Sequence, residues 1–220
     1  MPRLARVVVP DYPHHVTQRG SRKQRTFYRR SDYRAYLRMI AERKSDVGVV
    51  IWAYCLMPNH VHFVATPATE YGFARLFHNV HRRYARRINV REGWRGHLWQ
   101  ERFFSVPMDE EHLLAAVRYV ELNPVRARLC EDPADWPWSS VHAHQRSEDD
   151  QIVTVAPMMQ RVSDWDAYLS TIDSAETTES IRKHTCTGRP LGDDSFVDRM
   201  ELLTGRRLKK RRPGPAPRVK

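Results

Sequence analysis

The chain has 220 residues, with 37 Lys and Arg against 26 Asp and Glu, a formal charge of +11. That length suits one sizeable core plus a smaller extension, and the basic excess points to a polyanionic partner, nucleic acid before an anionic membrane surface. No apolar run approaches the roughly 20 residues of a membrane span and no apolar secretory core opens the chain, so no membrane partner and a cytoplasmic residence are expected. Cys55, Cys130 and Cys186 lack CxxC spacing, which argues against a disulfide framework or a zinc knuckle.

In chain order, residues His14 to Gln18 alternate around Val16 and read as a short strand. Residues 19 to 30, RGSRKQRTFYRR, hold six basic side chains and no acid around a Gly20-Ser21 loop. They form either a solvated charged loop or one that contacts phosphates. Ser31 and Asp32 are candidate caps for a helix with Tyr33, Tyr36, Leu37, Ile40 and Ala41 at helical spacing, ending near Val47-Gly48. Val49 to Met57 is a mainly apolar strand, turned back at Met57-Pro58-Asn59 into a second that carries His60 and His62 and stops at Thr66-Pro67.

Side chains on a strand alternate, so His60 and His62 share one face and Val61 and Phe63 the other. A His-x-His pair often only packs and hydrogen-bonds, yet two imidazoles on one face also make a ready divalent-metal site.

Residues 71 to 91 read as a helix with the apolar stripe Phe73, Leu76, Phe77, Val80, Tyr84 and Ile88. Opposite that stripe stand Arg75, Asn79, Arg82 and Arg86, in a segment of six arginines and no acid. Such a one-sign face repels itself unless an anion meets it, so nucleic-acid contact is the favoured reading. His97 to Val106 reads as a fourth strand ended by Pro107, and Asp109-Glu110-Glu111 opens a helix through Leu113, Ala116, Val117 and Val120. At ~100° per residue, Tyr119 and Asn123 fall within about 40° of one another beside that stripe. Asn123-Pro124 either kinks this helix or breaks it, with Asn123 capping a second.

Beyond Cys130, Trp136 to Ser140 reads as an aromatic clasp and Glu148-Asp149-Asp150 as an acidic exposed loop, followed by short helices around 165 to 172 and 196 to 203. Residues 206 to 220 hold eight basic side chains, Lys209, Lys210, Arg211 and Arg212 among them, with Pro213, Pro215 and Pro217 interrupting any helix. That composition reads as a flexible tail that grips phosphates.

The element order implies an α+β fold, a ferredoxin-like or RRM-like antiparallel sheet with helices on one face and its first and third strands central. A mainly helical and disordered basic C-terminal extension follows. The expected divisions are residues 10–145, a helical extension 146–205 and a tail 206–220.

Three stretches together, YPHHVTQRG (12–20), LMPNHVH (56–62) and RYVELNPVRA (118–127), resemble the single-tyrosine HUH transposases, closest to the REP-associated tyrosine transposases. The resemblance covers about residues 10 to 145, with a weaker echo in Thr187-Gly188-Arg189-Pro190-Leu191-Gly192. It implies a DNA-nicking and strand-transferring enzyme of DNA transposition and recombination, acting at hairpin-forming REP elements through a 5′-phosphotyrosine link. Tyr119 matches the nucleophile, His60 and His62 the metal pair, and Asn123 the position of a third polar ligand.

The same resemblance implies Mg2+ or Mn2+ as cofactor and single-stranded or hairpin DNA as partner, with no nucleotide cofactor, for a monomer or homodimer. Arg19, Arg22, Lys23, Arg25, Arg75, Arg82, Arg86, Lys209, Lys210, Arg211 and Arg212 are the candidate DNA contacts. The competing readings are a non-catalytic RRM-like binder and a metal phosphodiesterase that activates water.

Overall fold

The computed structural model describes residues 6–209, the side chain of Cys186 excepted. Strands β1 (His14–Arg19), β2 (Val49–Met57), β3 (His60–Pro67) and β4 (Phe104–Pro107) form an antiparallel sheet in the order β2-β3-β1-β4, so the first and third strands are central, as expected. The fourth strand is shorter than the expected 97 to 106. Glu101 takes a left-handed φ of 54°, which an extended strand cannot accommodate, and residues 97 to 103 loop over the sheet edge instead, keeping a single bridge between Trp99 and Gly20.

Two helices, α1 (Arg30–Lys44) and α2 (Gly72–Glu92), pack on one sheet face. The stripe Phe73, Leu76, Phe77, Val80, Tyr84 and Ile88 is fully buried there against Val16, Val61, Phe63 and Ala65. Asp32 does not cap α1 as its first residue. It sits one turn in and its carboxylate accepts from the Tyr28 and Arg29 amides at 3.0 Å each, while Arg91 at the end of α2 pairs with it. One buried carboxylate thus fastens the start of α1 to the end of α2.

The other sheet face is covered as well. The helix α3 (Glu110–Glu121) packs there on Ala53, Cys55, Val64 and Val106. A bulge in β2 between Ile51 and Ala53 turns Ala53 and Cys55 toward α3 while Ile51 stays with α1 and α2. After the one-turn helix α4 (Asn123–Arg126), Trp136 Nε1 donates to the Leu56 carbonyl at 3.1 Å and Trp138 stacks on Tyr33 at 4.7 Å, which realises the clasp along β2.

Four short helices follow, α5 (Val141–Arg146), α6 (Ala156–Met159), α7 (Trp165–Ser170) and α8 (Ala175–Thr187), then α9 (Asp194–Thr204). Two of these answer the expected helices at 165 to 172 and 196 to 203. The helix α8 packs beside α3 and the sheet through Ile181, and α9 caps a small cluster with Val7 and Val9 through Phe196 and Met200. No helix among the described residues is long and apolar enough to cross a membrane.

Candidate active site

His60 and His62 are the first and third residues of β3, and the register with β1 sets them opposite Arg19 and Thr17. Strand alternation turns both imidazoles, with His15 of β1, toward the α3 face. The helix then lays Tyr119 over them, its ring centre 5.9 Å from that of His62 and 6.2 Å from that of His15, edge-on to both. The His60 and His62 rings are 4.9 Å apart. Tyr119, His60, His62, Thr17, Arg19 and Arg182 of α8 line one cavity of about 470 Å3.

Hydrogen bonds hold the rings. Asn59 Nδ2 donates to the Lys23 carbonyl at 3.0 Å, which turns its Oδ1 to His60 Nδ1 at 2.6 Å. An amide oxygen only accepts, so His60 carries its proton on Nδ1 and keeps Nε2 as a lone pair. His62 Nδ1 lies 2.9 Å from His15 Nε2, and His62 Nε2 is buried without a protein partner.

Burial, with Arg19 adding to it, lowers the His60 pKa to about 3, and burial holds His62 well below the ordinary imidazole value. Both rings are therefore neutral at pH 7. Two neutral imidazoles, one with an orphaned buried nitrogen, fit a divalent cation. Among the described residues no group of three or more His, Cys, Asp or Glu side chains gathers as a closed metal cage.

Two carboxylates, one half-buried and one fully buried, fix the tyrosine helix. Asp109 caps its start by accepting from the His112 amide at 2.9 Å. At its end Glu121, fully buried, accepts from Ser140 Oγ at 2.5 Å and Trp165 Nε1 at 2.9 Å and meets His144 Nδ1 at 2.7 Å. Asn123 does not cap the second helix. Leu122 occupies the junction, α4 starts at Asn123, and the Asn123 side chain is buried with Nδ2 unpartnered. Asn123 is not among the side chains that line the Tyr119 cavity.

Four residues that sequence reasoning did not single out complete the surroundings. The Arg126 guanidinium stands 4.1 Å over the Tyr119 ring and donates to the Tyr119 carbonyl, while His15 backs His62. Arg182 and Thr185 come from α8. His15 and Arg126 lie inside the stretches 12–20 and 118–127, so those stretches held the signal. Nothing in the sequence placed α8 here.

Of the expected DNA contacts, Arg19 lines the cavity, and Arg22, Lys23 and Arg25 are exposed on the loop that Asn59 ties to the β2–β3 turn. Arg75 and Arg82 line a second groove of about 930 Å3 with Arg6, Arg102, Tyr71 and Trp99. Arg86 is exposed outside it, and two other arginines of α2 are ion-paired, Arg83 with Glu42 and Arg91 with Asp32. Lys209 pairs with Asp198 at 2.5 Å, and Lys210, Arg211 and Arg212 lie outside the described residues.

Residues 8–123 match the family model described as "Transposase IS200 like". The REP-associated tyrosine transposase of Escherichia coli (strain K12) is 22% identical over 122 residues, spanning 55% of this chain and 72% of that protein. A solved REP-associated tyrosine transposase bound to a REP hairpin superposes with a TM-score of 0.54 at 20% identity, covering 70% of this chain and 92% of that one, which shows a shared fold.

Proposed function

The chain belongs to the IS200-like transposase family, and we propose that it cuts and rejoins single-stranded DNA beside REP-like hairpins through a covalent 5′-phosphotyrosine on Tyr119. The observation that carries this reading is the meeting of Tyr119 with His60 and His62 in one cavity edged by Arg19 and Arg182. A binder needs no phenol beside a histidine pair, and the solved relative whose fold this chain shares is bound to a REP hairpin.

His60 and His62 would hold Mg2+ or Mn2+ through their Nε2 atoms, with water or the DNA phosphate supplying oxygen ligands in place of Asn123, whose side chain does not line the cavity. Such an ion stabilises charge developing on a scissile phosphate and on its leaving oxygen. Tyr119 Oη attacks phosphorus, the bond to the 3′ oxygen breaks, and that oxygen leaves as a 3′-hydroxyl once protonated. Attack needs the phenol to give up its proton. The Arg126 guanidinium, stacked over the ring, brings a cation beside the attacking group.

Because the new phosphodiester keeps the energy of the old one, a DNA 3′-hydroxyl reverses the step without ATP. Arg19, with Arg22, Lys23 and Arg25, grips the strand entering the cavity, and Arg75, Arg82 and the second groove take the flanking backbone. The test is a denaturing gel of palindromic single-stranded DNA with Mn2+ or chelator. Metal-dependent cleavage and a protein–DNA adduct, both lost in Tyr119→Phe, are expected. Cleavage that survives the substitution would assign the reaction to activated water.

A further inference from the structure

We infer that Thr185, on α8 far beyond the family-matched residues, is a positioning residue that sets which nitrogen of His62 carries the proton, acting through His15. The inference rests on reading His60 and His62 as the metal pair.

The contacts form a chain. Thr185 Oγ1 lies 2.7 Å from the Ile181 carbonyl one helical turn back and 3.2 Å from His15 Nδ1, and His15 Nε2 lies 2.9 Å from His62 Nδ1. A hydroxyl has one proton. The carbonyl can only accept and is the nearer of the two, so the Thr185 proton goes there, in the back-bond common for threonine in helices. Thr185 Oγ1 is then left only as an acceptor toward His15.

His15 is therefore protonated on Nδ1 and presents a lone pair on Nε2. That lone pair requires His62 to carry its proton on Nδ1, which leaves His62 Nε2, the orphaned buried atom, as a lone pair. The opposite assignment runs the chain backwards. His15 would donate from Nε2, His62 would be protonated on Nε2, and a buried N–H without an acceptor would replace the metal-binding electron pair.

The two ligands are thus matched by separate devices. His60 takes its Nδ1–H tautomer from Asn59, which neighbours it in the chain, and His62 takes the same tautomer from a helix of the C-terminal extension. The extension does more than cover the sheet, because without α8 nothing described chooses between the two tautomers of the buried His15–His62 pair. Partners of this kind behind a ligating histidine commonly change metal affinity by ~10 to 100-fold.

The experiment uses the full-length protein, 15N-labelled at histidine, with two readouts: nitrogen NMR of the metal-free protein, which reports the tautomers, and Mn2+ titration by electron paramagnetic resonance. Wild type should show Nδ1–H at His15 and His62. Thr185→Val, which has the shape but no acceptor, should raise the Nε2–H population of both and weaken Mn2+ binding about tenfold. Thr185→Ser should restore both readouts, which a general loss of packing would not.

Unchanged tautomers in Thr185→Val, or weaker Mn2+ binding that Ser does not rescue, would overturn the inference. His62→Ala separates the parent reading. If it binds Mn2+ as wild type does, the metal pair itself is wrong and Thr185 has no role toward a cation, whatever the NMR shows.

Discussion

His15 and His62 stand as parallel rings on neighbouring central strands, 5.1 Å apart with planes 9° from coincidence and Nε2 of the first 2.9 Å from Nδ1 of the second. Both are buried, so neither edge of that contact is exchanged for water. The contact commits one edge of His62 to β1 and leaves the other for the cavity under Tyr119.

The position of Tyr119 depends on the anchor two residues on. Glu121→Ala would leave the buried donors of Ser140, Trp165 and His144 without their acceptor, and should cost about 3–5 kcal/mol in urea unfolding. Glu121→Gln, which keeps the shape, should cost less. A loss below about 1 kcal/mol for the alanine variant would mean that the tyrosine helix is held by apolar packing alone.

Arg126→Met keeps most of the side-chain length and removes the charge over the Tyr119 ring. Cleavage should slow by about ten- to a hundredfold, while the unfolding free energy moves by no more than about 1 kcal/mol. Single-turnover rates at saturating DNA make the comparison. An unchanged rate would remove Arg126 from the activation of the phenol.

Buried histidines give the fold an acid limit. Burial lowers His14 to about 4, against the opposing hydrogen bond to the Tyr12 carbonyl, and lowers His81 to about 3, with His78 adding to it. Below the ordinary value of about 6.5 the unfolded chain takes up protons that the folded chain refuses. Stability is thus fully present above about pH 6.5 and falls as pH drops toward 4, flattening for these groups below their folded values. Urea midpoints with chelator between pH 7.5 and 4 should trace that decline, and a flat profile would contradict the neutral burial of these rings.

Much of the sheet and the centre of the site could be read from the chain because local patterns encode them. Alternation put His60 and His62 on one face, and the 3.6-residue stripe of α2 gave its buried side apart from Gly72 and His81. The fourth strand was overread because its apolar residues 98 and 103 belong to a loop whose path is set by the left-handed Glu101. The helix α8 was missed for a different reason. Its sequence, AETTESIRKHTCT, has Ile181 as its main apolar anchor, so no stripe announces it, and its place follows from tertiary contact with α3 and β1. Arg126 escaped notice because a cation over an aromatic ring depends on the turn at Leu122, which spacing along one helix does not describe.

The most direct measurement of the central claim is mass spectrometry of the protein–DNA adduct after nuclease and trypsin digestion. A nucleotide remnant joined through its 5′ phosphate to the peptide that holds Tyr119 is expected. A remnant on any other residue, or efficient cleavage with no adduct under the same conditions, would contradict it.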